Sequence, residues 1–214
     1  MEKKKKGKKK VVIIILLTIL LIIALCLTGI PILKQKFIDS EKGKLQEYYN
    51  SGKYEKAYNI LTKYNMEIEN EAEIKQKYII QLIKNEKLDE AIGILRNTKG
   101  LTEDQLTEAM KEYIVATIYP KAYNTLYNSM KDPNSLKVSG YTFSVWFYNG
   151  ERGNSKKKAS YVYNKDFCHF SVDITLKYSG TNSFGGVVTD NQKYTYWGKV
   201  GTDYKLIDIY KTKY

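Results

Sequence analysis

Hydrophobic positions along the chain fall into three regimes. Residues 11–33, VVIIILLTILLIIALCLTGIPIL, carry no charge. Over residues 38–131 apolar side chains recur at helical spacing. Ile74, Tyr78 and Leu82, with Ile79 and Ile83, stand at i, i+4 and form one stripe. Leu88, Ala91, Ile92 and Leu95 form another after the polar Asn85-Glu86-Lys87. Beyond Pro133 the period becomes two. In FCHFSVDITLKY (167–178), Cys168, Phe170, Val172, Ile174, Leu176 and Tyr178 alternate with His169, Ser171, Asp173, Thr175 and Lys177. That pattern predicts a half-buried antiparallel strand. YTFSVWFY (141–148) predicts a second, and YVYN, KYTYWGKV and DYKLIDIY three more. Turn residues stand at Asn149-Gly150 and Gly185-Gly186.

The uncharged run predicts a transmembrane helix over 11–33. At about 1.5 Å per residue, 23 helical residues span roughly 34 Å, enough for a bilayer core of about 30 Å. A cleaved signal peptide would have a shorter apolar region and a small-x-small site, neither of which is seen here. Cys26 follows Leu25, unlike a lipoprotein signal. Residues 1–10 carry seven Lys and one Glu, which predicts a cytoplasmic tail. The expected localisation is therefore a single-pass cell-membrane protein, with the lipid bilayer as one partner and residues 34–214 extracytoplasmic. Heavy use of Lys, Ile, Asn and Tyr suggests a bacterial source of low GC content.

The helical segment contains a repeat. YNSGKYEKAYNIL (49–61) returns as IKNEKLDEAIGIL (83–95), an offset of 34 residues. Gly52 aligns with Glu86, Tyr54 with Leu88, Ala57 with Ala91 and Leu61 with Leu95. This stretch, residues 38–105, resembles tandem tetratricopeptide (TPR) helix–turn–helix repeats in its period, its packing alanines and its turn. It departs from them at Leu45 and Ile79, where that family prefers Gly, at Tyr64 and Thr98, and in lacking the late Pro. The resemblance implies a curved helical scaffold for a protein or peptide partner. Gly100 can end the fourth helix. Thr102 with Gln105 predicts a capping box opening the next, and Pro120 predicts a kink or break within it. About six helices are thus expected over 34–131.

The expected architecture is multidomain: a basic tail (1–10), a transmembrane helix (11–33), an all-α TPR-like region (34–120) and a C-terminal α+β domain (121–214) whose antiparallel sheet has about five strands. The helix at 121–131 is expected to cover the sheet's apolar face. KDPNS (131–135) and NSFGG (182–186) resemble a pattern in uncharacterised envelope modules of Gram-positive bacteria, which implies no activity.

Charge and chemistry narrow the function. Residues 34–130 carry fifteen basic and fifteen acidic residues, whereas 131–214 carry thirteen basic and seven acidic, a surplus of six. The C-terminal module also holds Trp146, Trp197 and ten tyrosines. Lys156, Lys157 and Lys158 predict a basic loop. These five residues are the candidate binding site, suited to an anionic envelope polymer; nucleic acid is not expected. His169, the chain's one histidine, adjoins Cys168, but strand neighbours point to opposite faces. Cys168 is expected in the core and His169 at the surface. No metal-ligand spacing, phosphate loop or nucleophile elbow occurs, so no catalytic residue, metal or cofactor is expected. The sequence reads as a non-enzymatic, membrane-anchored binding protein; the alternative is a tethered cell-wall enzyme or enzyme inhibitor.

Overall fold

The computed structural model describes residues 17–20, 32–148, 157–158, 161, 167–181 and 184–212, with backbone alone for Lys157, Lys158 and Phe167. The tail at 1–10, Cys26, Asn149-Gly150, Lys156, residues 162–164 of YVYN and Asn182-Ser183 lie outside the described residues. The chain divides into two compact units, Met1–Met66 and Glu67–Tyr214.

The expected transmembrane helix is corrected. Among the described residues no helix is long and apolar enough to cross a membrane. Of the segment 11–33, only 17–20 and 32–33 are described. The helix described from residue 32 carries Lys34, Lys36, Asp39 and Glu41, so its described part is amphipathic rather than uniformly apolar. The membrane anchor, the single-pass topology and the localisation drawn from it therefore lose their support.

In the first unit α1 (32–50) and α2 (Tyr54–Lys63) form a helical pair. Leu45, Ala57 and Leu61 are buried. Gly52 stands at φ 70°, the left-handed conformation that ends a helix. Lys53 N–H donates to Tyr48 O at 2.8 Å and Gly52 N–H to Tyr49 O at 3.0 Å, closing the turn.

The second unit begins with another pair, α3 (Glu71–Lys84) and α4 (Leu88–Asn97). Its turn repeats the first at an offset of 34. Glu86 stands at φ 61°, Lys87 N–H donates to Leu82 O at 2.9 Å and Glu86 N–H to Ile83 O at 3.0 Å. Ala91 and Leu95 are buried like their counterparts Ala57 and Leu61. Gly100 at φ 83° redirects the chain. The capping box then forms. Gln105 N–H donates to Thr102 Oγ1 at 3.2 Å, and Thr102 N–H donates to Gln105 Oε1 at 2.9 Å.

The helix so capped, α5, runs unbroken from Glu103 to Ser129. Pro120 lies inside it, so the two helices expected on either side are one. The reason is burial. Ile118 and Ala122 are both fully buried while Pro120 is exposed. Continuing the apolar stripe outweighs the roughly 3 kcal/mol that an interior proline costs a helix.

A 3₁₀ turn, Pro133–Ser135, leads to the sheet. Its strands are β1 (Lys137–Tyr148), β2 (Lys157–Lys158), β3 (Phe167–Thr181), β4 (Val187–Gly201) and β5 (Leu206–Lys211). They pair antiparallel in the order β2-β1-β3-β4-β5. A two-residue strand, β2, forms at Lys157–Lys158; of the strand expected at YVYN only Tyr161 is described, and it is not in a strand. Tyr161 is a buried anchor without regular structure: its N–H donates to Thr107 Oγ1 at 2.8 Å, and its ring meets Phe147 edge-on at 5.4 Å.

The inner sheet face, with Phe147, Cys168, Phe170, Val172, Ile174, Leu176, Tyr196 and Val200, is buried. Helix α5 lies against β1, β3 and β4, and Thr125 Oγ1 and Tyr196 Oη share a hydrogen bond of 3.2 Å. Arg96 on α4 reaches the β4–β5 turn, donating from Nε to Asp203 O at 2.8 Å and pairing with its carboxylate at 3.1 Å.

Candidate ligand-binding face

The period of two places every second residue of β1, β3 and β4 on the sheet's other face. Cross-strand register groups them into rows. Trp146 pairs with Ser171, Ser171 with Trp197, and Trp197 with Tyr210. One row therefore crosses four strands with a hydroxyl between two indoles. At roughly 4.8 Å per strand step, the backbones carrying the two tryptophans are about 10 Å apart. The next row holds Tyr148, His169 and Lys199. The row on the other side holds Ser144, Asp173 and Thr195.

The rings and polar groups interlock. Tyr148 and Trp197 lie diagonally, centroids 4.9 Å apart and planes at 34°. Tyr148 Oη and Ser171 Oγ share a 3.2 Å hydrogen bond. Thr195 Oγ1 donates to Asp173 Oδ1 at 2.6 Å, and Lys193 Nζ pairs with Asp173 Oδ2 at 2.9 Å. Lys199 Nζ pairs with Asp208 at 2.9 Å, beside a bulge in the β4–β5 register. Aromatic cover makes this face partly dry: His169, Ser171 and Thr195 are buried, while Trp146, Tyr148 and Trp197 are half-buried and Tyr210 is exposed.

Of the candidate residues, Trp146 and Trp197 are brought together on this face. Lys157 registers opposite Tyr148 and Lys158 opposite Phe147, which places the two lysines on the edge strand rather than in a loop. Lys156 is outside the described residues. Cys168 is in the core, as expected, and its thiol faces away from His169's side of the sheet. His169 is not a surface residue as expected; at 9% exposure it is buried, because Tyr148 and the Trp197 row cover the face it projects from. Tyr148, Tyr210 and Ser171 join the candidate face, although residue type and spacing alone do not single them out. Alternation in 141–148 carries Tyr148 with Trp146, and only the strand register reveals Tyr210.

No group of three or more metal-ligating side chains is present among the described residues. The first unit has its own hollow of about 370 Å³, where Lys44, Lys56 and Lys63 meet Tyr48 and Tyr64. Lys56 Nζ lies 5.5 Å from the Tyr48 ring centre and Lys63 Nζ 5.0 Å from that of Tyr64.

The KDPNS segment meets the end of β3 through the 3₁₀ turn. Ser135 Oγ accepts from Thr181 N–H at 2.8 Å and donates to Asp132 O at 2.7 Å. Gly180 leaves space that Met130 and Ser135 fill. The KDPNS signature is thus a clasp that fastens the α5–β1 connection to the end of β3. Comparison with family models, curated proteins and solved structures finds no match for the chain.

Proposed function

We propose that this chain is a non-enzymatic binding protein whose outer sheet face receives a glycan chain, with the helical pairs serving as a scaffold for a protein or peptide. The observation that carries the reading is the row Trp146–Ser171–Trp197–Tyr210. Flat aromatic faces, spaced one or two strands apart with hydroxyls between them, stack on the apolar faces of sugar rings and hydrogen-bond their edges. Two lysines of this face are paired with carboxylates, Lys193 with Asp173 and Lys199 with Asp208. Stacking rather than bare charge is therefore the main source of affinity, and the basic surplus of the module adds a long-range attraction for acidic glycans. The polar groups of the face support binding over catalysis. Ser171 is engaged by Tyr148, and Asp173 by Thr195 and Lys193, which ties these groups into the sheet's own hydrogen-bond network.

The test is retention on immobilised polysaccharides sharing one backbone, neutral and acidic, at low and high salt. Retention that survives high salt and is lost in the folded Trp146→Ala/Trp197→Ala double variant is expected. Retention that vanishes with salt on both matrices, or persists in the double variant, contradicts the reading.

A further inference from the structure

A second site stands apart from the sheet's outer face. A cavity of about 510 Å³ opens between the α3–α4 turn, α5 and the start of β1. Its lining is rich in electron-donating groups. Glu86 comes from the turn, Glu112 from α5, and the Tyr119 and Tyr141 rings lie 4.8 Å apart at 40°. Ala116 and Pro120 also line it. Pro120 has no N–H, so the carbonyl of Ala116, one turn earlier, lacks its helical donor. Among the described residues neither Glu86 nor Glu112 is held in an ion pair. Two carboxylates against the single lining ammonium of Lys84 leave the cavity at −1.

Two features of the chain are locally unfavourable and meet here. The first repeat closes its turn with Gly52 at φ 70°. The second adopts the same backbone with Glu86 at φ 61°, a conformation that penalises any residue with a Cβ. The second feature is Pro120 inside an otherwise continuous helix. Both departures from the better local choice fall at residues that line the same cavity, and strain of this kind concentrates at functional sites. An aromatic band leads away from it. Tyr119, Tyr123 and Tyr127 follow one another along α5 at 6.4 Å spacings, and Phe143 lies 6.3 Å from Tyr141.

We propose that this cavity binds the guanidinium head of an arginine side chain on a peptide partner, with the flanking peptide residues lying along the aromatic band. Carboxylates, phenol faces and a carbonyl lacking its i+4 helical donor are groups that recognise a weakly hydrated organic cation. Burial, with Tyr141 and Tyr123 nearby, raises the pKa of Tyr119, so the ring remains a neutral phenol over the physiological range.

The test is calorimetric titration of the full chain with acetyl-Leu-Arg-Leu-amide, with its norleucine-centred analogue, and with spermidine as a free cation. The arginine peptide should bind more tightly than both. Glu86→Gly and Pro120→Ala should each weaken it by about two- to fivefold, the scale of one cation contact at a partly exposed site, while raising the melting temperature. That pairing of weaker binding with greater stability separates loss of a ligand contact from unfolding. Equal binding of the norleucine analogue removes the cation from the account. Spermidine binding as tightly as the peptide removes the peptide. Unchanged affinity in both stabilised variants removes the site.

Discussion

Gly52 and Glu86, 34 residues apart, hold the same left-handed backbone, at φ 70° and 61°, in turns closed by the same pair of hydrogen bonds. One position is free of strain and the other is not. Glu86→Gly should therefore raise stability by about 1 kcal/mol, and Gly52→Ala should lower it by about as much. Nothing lies within 4 Å of a Cβ added at Gly52, so the cost there is conformational alone. Urea midpoints of the two variants check both signs.

Gly198 poses the opposite problem, one of space. It sits opposite Phe170 in the β3–β4 ladder. A Cβ there would stand 2.6 Å from Phe170 Cζ and 2.8 Å from Cε1, and Phe170 is fully buried. Gly198→Ala should cost about 1–3 kcal/mol through overpacking. The double variant with Phe170→Leu should recover part of the loss, which thermal unfolding of the single and double variants measures.

Alkaline pH should weaken the fold. Burial raises the pKa of Tyr113, Tyr119 and Tyr194 above the ordinary tyrosine value. These phenols are held neutral in the fold but ionise freely once unfolded, so the unfolded chain binds fewer protons above about pH 10. Their stability contribution is complete below that pH and is lost as pH rises through the folded values. Denaturation midpoints should hold steady to near pH 10 and fall beyond it. A midpoint that rises across that range contradicts the burial of these rings.

Much of this was written in local pattern. The 34-residue offset located α2 and α4, because Ala57 and Ala91 fill equivalent buried positions. Thr102 and Gln105 marked the start of α5 because a capping box is a local hydrogen-bond pair. Other features needed tertiary information. Pro120 reads as a break until Ile118 and Ala122 are seen buried on one continuous stripe. His169 reads as a surface residue because a period of two separates faces without saying which is wet. Tyr161 reads as part of a strand because four alternating residues are too few to tell a strand from a buried anchor. The uncharged run at 11–33 resembles a membrane span by hydropathy alone, yet no described helix has that character. The pairing of Trp146 with Trp197 through Ser171 depends on register, which side-chain alternation leaves open.

That pairing carries the central claim, and the chain reports on it directly. Its only two tryptophans, Trp146 and Trp197, both lie on the outer sheet face. The decisive measurement is an intrinsic-fluorescence titration with a soluble acidic polysaccharide, repeated in Trp146→Phe and Trp197→Phe. The account predicts a saturable change in the wild-type emission, carried in part by each single variant and persisting at high salt. Binding detected by calorimetry with no change in tryptophan emission would place the glycan elsewhere and contradict it.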